Sequence, residues 1–158
     1  MSDIPNEMLQ RFMTAQGGTA FLNALGAVLV AAEPGRSTIR LPYGAHIVGN
    51  PDTGVVHGGA ITGVLDQACG MAVGSALAEA REPGASAMRG IATLDLRIDY
   101  LKAATPGRDI TVVGECVKIT RQIVFARARA YQENAEDVVA LAAGTFMITD
   151  VPGTLVRS

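Results

Sequence analysis

The sequence predicts an α+β fold in which a curved antiparallel sheet wraps around one long central helix. Three observations predict it. Strand-like segments cluster before and after a single long apolar stretch, instead of alternating with helices as a parallel chain requires. Between Thr53 and Ala78 the only fully charged side chain is Asp66, so that stretch has the apolar character of a core helix. In the segment 124–131, Val124, Ala126, Ala128 and Ala130 alternate with Phe125, Arg127, Arg129 and Tyr131. A sheet face made of alanines leaves room for a helix.

Each element has its own signal. Residues 4–16 place Met8, Leu9, Phe12 and Met13 on one side of a short amphipathic helix, which Gly17 and Gly18 end. A helical turn follows at 20–25. Strands at 27–33 and 37–42 are joined by Glu33-Pro34-Gly35-Arg36, which has hairpin turn chemistry. Residues 43–56, rich in Gly, Asn, Pro and Asp, read as a loop. The long helix covers 57–77, and its Gly63, Gly70 and Gly74 suit a close approach by another backbone. After a flexible stretch at 82–86, Leu94, Leu96, Ile98 and Tyr100 alternate with Asp95, Arg97 and Asp99, the period of a strand with one wet face. A turn at 105–108 leads into strands at 109–119, 123–132 and 138–149, and residues 151–158 form a frayed tail.

The 158 residues suffice for one domain, 1–158, with a real core. With 49% hydrophobic and 18% charged residues and a mean hydropathy of +0.28, some surface is expected to be buried against further subunits. A net charge of −2 offers no basic surplus for a nucleic-acid backbone. Cys69 and Cys116 lie in apolar stretches without a CxxC pairing, which argues against a disulfide framework or a metal site. The apolar segment 21–32 is short of a membrane span and the N-terminus lacks a signal peptide's basic start, so a cytoplasmic location is expected, with no membrane partner.

Asp66 is the first candidate for chemistry. A carboxylate on an otherwise uncharged core helix loses solvation worth about several kcal/mol unless partners compensate it. It either serves a reaction or sits at a solvated edge of the helix. His57-Gly58-Gly59 opens the same helix, where unpaired backbone N–H groups and the helix dipole favour developing negative charge and glycine lets a substrate approach. That suits an oxyanion site, although Gly-Gly also serves ordinary turns. Gly58 and Asp66 are eight positions apart, roughly 12 Å along a helix rising ~1.5 Å per residue. One chain cannot bring both to one carbonyl, so joint action requires Gly58 of one protomer to face Asp66 of its partner across a two-fold axis.

The segment from Gly49-Asn50 through His57-Gly58-Gly59 to Asp66, with Thr93-Leu94-Asp95-Leu96 and Tyr100-Leu101-Lys102, resembles the PaaI-like hot-dog thioesterases of phenylacetate metabolism. The resemblance spans roughly residues 20 to 150. It implies an acyl-CoA thioesterase working as a dimer or a dimer of dimers, with coenzyme A as part of the substrate and no separate cofactor. It further implies that the Gly58 N–H polarises the thioester carbonyl and that Asp66 acts as general base or nucleophile. Asn50 and His57 would orient the thioester and water, and Thr93 would hold the water or steady Asp66, unless it is simply a strand residue. Gly59 and Gln67 would touch substrate. Arg89, Lys102, Lys118 and Arg121, near strand ends, are the cations available for the coenzyme's phosphates, or merely solvated charges. A hot-dog hydratase or dehydratase, or a non-catalytic acyl-CoA-binding protein, are the alternatives. The helix offers no histidine after position 57 for an acid–base pair, and a pure binding pocket gains nothing from Asp66.

Overall fold

The computed structural model describes residues 19–80 and 90–149. The helix expected at 4–16, the stretch at 82–86, Arg89 and the tail 151–158 lie outside the described residues.

Helix α1 (Ala20–Leu25) starts at Thr19, whose side chain accepts from the Leu22 N–H, and ends at Gly26 in the left-handed region. Strands β1 (Val28–Glu33) and β2 (Arg36–Leu41) form the expected hairpin, with Gly35 at φ 75° in its turn. The segment read as loop contains a 3₁₀ turn (Ala45–Ile47) and a small ladder between β3 (Val48–Asn50) and β4 (Val55–Val56). These strands are too short for alternation to reveal them. Helix α2 (Gly58–Glu79) follows, then β5 (Gly90–Tyr100), β6 (Ile110–Ile119), β7 (Ile123–Tyr131) and β8 (Val138–Thr149).

The main sheet has six antiparallel strands in the order β1-β2-β6-β7-β8-β5. Helix α2 lies across one face of it, against β6, β2 and β7 above all. An antiparallel sheet wrapped on one long helix is the arrangement that the sequence pattern predicts, and it is the hot-dog fold that the resemblance implies. The alanine face behaves as expected: Val124, Ala126, Ala128 and Ala130 are buried, and together with Ala140 and Ala142 they line the groove that receives the helix.

Small residues let helix and sheet approach to backbone contact. A Cβ at Gly114 would stand 2.3 Å from the Ala68 carbonyl oxygen, so β6 touches the helix backbone itself. The Ser37 hydroxyl donates to that same carbonyl at 2.8 Å, and Ser75 accepts from the Gly35 N–H at 3.1 Å, which ties the hairpin to the helix's far end. The close backbone approach thus falls on a sheet glycine. Helix glycine Gly63 instead receives the ring of Phe21 from α1, which lies where a Cβ would come within 2.4 Å of it.

Two expectations need correction. Helix α2 is not enclosed on all sides by its own chain: Ala60, Ile61, Val64, Leu65, Ala68, Cys69, Ala72 and Val73 face the core, while Gly59, Thr62, Gly63, Asp66, Gln67 and Gly70 form a partly open outward face. The strict alternation expected along β5 is interrupted by a bulge between Thr93 and Asp95, which leaves Leu94 exposed while Leu96 and Ile98 keep contact with the core.

Candidate active site

The start of α2 is built by the β3–β4 ladder. The His57 N–H donates to the Ile47 carbonyl at 2.8 Å, and a Cβ at Gly49 would press 2.9 Å from the His57 Cα, so only glycine fits beside it. His57 then caps the helix: its Nδ1 accepts from the Gly59 N–H at 2.8 Å. A neutral imidazole accepting at Nδ1 carries its proton on Nε2, which leaves an N–H donor on this exposed side chain. The Ala60 N–H goes to the His57 carbonyl at 3.0 Å. Of the first-turn donors, the Gly58 N–H alone has no acceptor among the described residues. The cap therefore consumes its neighbours' donors and leaves this one presented at the positive end of a 22-residue helix.

Two turns further along, Asp66 stands half-buried on the outward face of α2, at its border with β5. Its Oδ1 accepts from the Thr93 hydroxyl at 3.0 Å. The two residues are 27 positions apart in sequence, and the pairing of β5 with β8 beside the helix brings them together. Cys69, three residues on, turns inward and is fully buried. Burial, with the nearby Asp66 charge adding to it, pushes its thiol up to about 12.

Sequence reasoning passed over Tyr100 and Thr62. Tyr100, at the end of β5, donates its hydroxyl to the Gly58 carbonyl at 2.7 Å and meets the Thr62 hydroxyl as well. It was legible as an alternating strand residue and as part of the Tyr100-Leu101-Lys102 motif, without a role, because nothing local says that the strand's end meets the helix's beginning. Beside it is an open cavity of about 290 Å³ lined by Val55, Gly58, Ile61, Tyr100, Leu101 and Lys102, among others. Lys102, which forms an ion pair with Asp137, is the basic candidate placed next to Gly58.

The other candidates lie elsewhere. The Asn50 side chain accepts from the Asp52 N–H at 3.0 Å and its carbonyl accepts from the Gly54 N–H at 2.8 Å, so it shapes the turn that leads into β4. Gln67 is half-buried on the outward face beside Asp66, and Gly59 is exposed at the helix start. Lys118 pairs in register with Phe125, whose exposed ring is on the sheet face away from α2. Arg121 is in the β6–β7 turn. Thr93 pairs with Phe146, Phe146 with Val124, and Val124 with Ile119, so the Lys118 end of β6 is three strand spacings from Thr93, about 14 Å. Within one chain neither cation joins Asp66 or Gly58.

Residues 53–139 match the thioesterase superfamily. The medium/long-chain acyl-CoA thioesterase YigI of Salmonella typhimurium is 30% identical over 135 residues, covering 81% of this chain and 84% of its own. Among solved structures, a Pseudomonas aeruginosa protein superposes with a TM-score of 0.71 at 36% identity, over 89% of this chain and 98% of its own. The phenylacetic acid degradation protein PaaI of Thermus thermophilus gives a TM-score of 0.66 at 23% identity, over 80% of this chain and 96% of its own, a likeness of fold.

Proposed function

This chain belongs to the thioesterase superfamily and is a thioester hydrolase of the hot-dog fold, and on that footing we propose that it cleaves acyl-CoA with Asp66 and Gly58 as its catalytic groups. The observation that carries the assignment is the Gly58 N–H, without an acceptor among the described residues, at the start of a helix whose outward face bears Asp66, held by Thr93.

The chemistry follows from those positions. The Gly58 N–H holds the thioester carbonyl oxygen as it gains negative charge, and Asp66 takes a proton from water as the water oxygen bonds to the carbonyl carbon. The C–S bond then breaks, and the coenzyme A sulfur leaves as a thiolate and takes up a proton. Direct attack by Asp66 would pass instead through an acyl-aspartyl anhydride, and label found in Asp66 after single turnover in ¹⁸O-water marks that route, through hydrolysis at the aspartyl carbonyl.

The ~12 Å between Gly58 and Asp66 along α2 requires the two groups to come from different protomers. Strand β5 supports this: it is an 11-residue edge strand, exposed from Ala92 to Asp95, and an open edge of that length accepts a second copy in antiparallel pairing. A dehydratase would need an acid–base pair of Asp66 and a histidine close together on the helix, and α2 carries no histidine after position 57.

The test is release of free thiol from an acyl-CoA series, starting with the medium and long chains that the Salmonella relative's name specifies. Asp66→Asn should lower kcat by about a hundred- to ten-thousand-fold. Against a Gly58→Ala control, which adds the same Cβ beside the Tyr100 ring and keeps the N–H, Gly58→Pro isolates the loss of that N–H, because proline suits the first helical position and His57, at ψ 130°, already has the backbone that precedes proline. It should cost about a hundred- to a thousand-fold. Full turnover in either folded variant refutes the assignment of that group.

A further inference from the structure

We infer that Tyr100 is a positioning residue for the Gly58 N–H, holding the first peptide planes of α2 in the orientation hydrolysis needs. The inference rests on the acyl-CoA hydrolase reading and adds a residue to it. Gly58 and Gly59 form the first turn of the helix, where backbone fraying is easiest and where two residues without side chains have the widest conformational freedom. An oxyanion donor must nevertheless be held within a few tenths of an ångström of its working place. The Ala60 N–H on the His57 carbonyl holds the plane that carries the donor, while the plane that follows needs a contact from outside the turn.

Tyr100 supplies it in two ways. Its hydroxyl donates to the Gly58 carbonyl at 2.7 Å, fixing the plane that follows the Gly58 Cα. Its hydroxyl oxygen and ring carbons fill the space a side chain at 58 would occupy, 3.1 to 3.4 Å from such a Cβ, and so wall the turn on the side that faces β5. The Thr62 hydroxyl meets the same oxygen, and by donating to it leaves the tyrosine proton free for Gly58. The hydroxyl is the group by which tyrosine differs from phenylalanine, and its partners, Gly58 and Thr62, are both on α2. Strand β5 therefore reaches both chemical positions of α2, through Thr93 at Asp66 and through Tyr100 at Gly58.

The test is Tyr100→Phe in the full-length protein, with kcat and KM measured separately on an acyl-CoA ester that the wild type hydrolyses. Because the donor is misaligned and not removed, kcat should fall by about tenfold, less than the hundred- to thousand-fold expected for losing it. KM should stay within about twofold, since the lost alignment matters most in the transition state. Thr62→Val, which leaves the ring in place, should lower kcat in the same direction by less. In a Gly58→Pro background Tyr100→Phe should cost almost nothing further, because there is no N–H left to align. An unchanged kcat, a loss carried wholly by KM, or a full additional loss in the Gly58→Pro background would overturn the inference. If Gly58→Pro itself is silent, the oxyanion assignment fails; if it is crippling while Tyr100→Phe is silent, only the role of Tyr100 fails.

Discussion

Cys69 is three residues from Asp66 on the same helix, yet the two have opposite surroundings. The carboxylate faces outward towards Thr93, and the thiol is sealed in the core with its ionisation pushed up to about 12. The thiolate, not the thiol, attacks a thiol reagent. In the folded protein, Ellman's reagent should therefore react only with half-buried Cys116, and slowly, because burial raises that thiol as well. Cys69 should react only after denaturant is added. Two thiols reacting at the same rate in the native protein would contradict the placement of α2. The sign of the pH dependence follows: the folded thiol keeps its proton to about 12 and the unfolded one releases it near 9.0, so stability attributable to Cys69 is present below pH 9 and is lost as the pH rises above it.

At the scale of elements, the contact that decides how close α2 sits is made by Gly114 of β6. A methyl group there would be 2.3 Å from the Ala68 oxygen and 2.4 Å from its carbonyl carbon, and both are backbone atoms that cannot rotate away. The helix would have to lift off the sheet, loosening Ser37 from Ala68 and disturbing the row of buried alanines. Gly114→Ala should therefore destabilise by about 3 kcal/mol, the upper part of the range for overpacking, as read by urea denaturation. Gly107→Ala is the comparison: that glycine has φ 78° and nothing within 4 Å of a Cβ, so only the backbone penalty of about 1–2 kcal/mol applies. Equal losses in the two variants would mean that helix and sheet are not in backbone contact.

At the scale of the whole molecule, a site shared between protomers predicts complementation. Asp66→Asn chains retain Gly58, and Gly58→Pro chains retain Asp66. Each homodimer should be inactive, but a mixed dimer has one site with both groups intact. After unfolding and refolding together in equal amounts, half the dimers are mixed and each has one working site of two, so about a quarter of wild-type activity should return. No recovery, despite mixed dimers detected by mass spectrometry, would show that Gly58 and Asp66 of different protomers do not act on one thioester.

Much of this was legible in the primary structure, because it depends on local periodicity and on spacing along a single element. The alternation from Val124 to Tyr131, the Pro34-Gly35 turn and the long uncharged run around Asp66 each carry their own signal. The spacing of Gly58 and Asp66 likewise follows from helical rise alone. Thr93 beside Asp66 was implied by the family resemblance, whereas what only the tertiary structure decided are Tyr100 on Gly58, Gly114 on Ala68, and the partly open outward face of α2. The β5 bulge and the two-residue strand β4 carry no period to detect. The physical reason is the same in each case: periodicity reports which side of an element is apolar, whereas the partner that meets that side is chosen by the register and packing of the whole sheet.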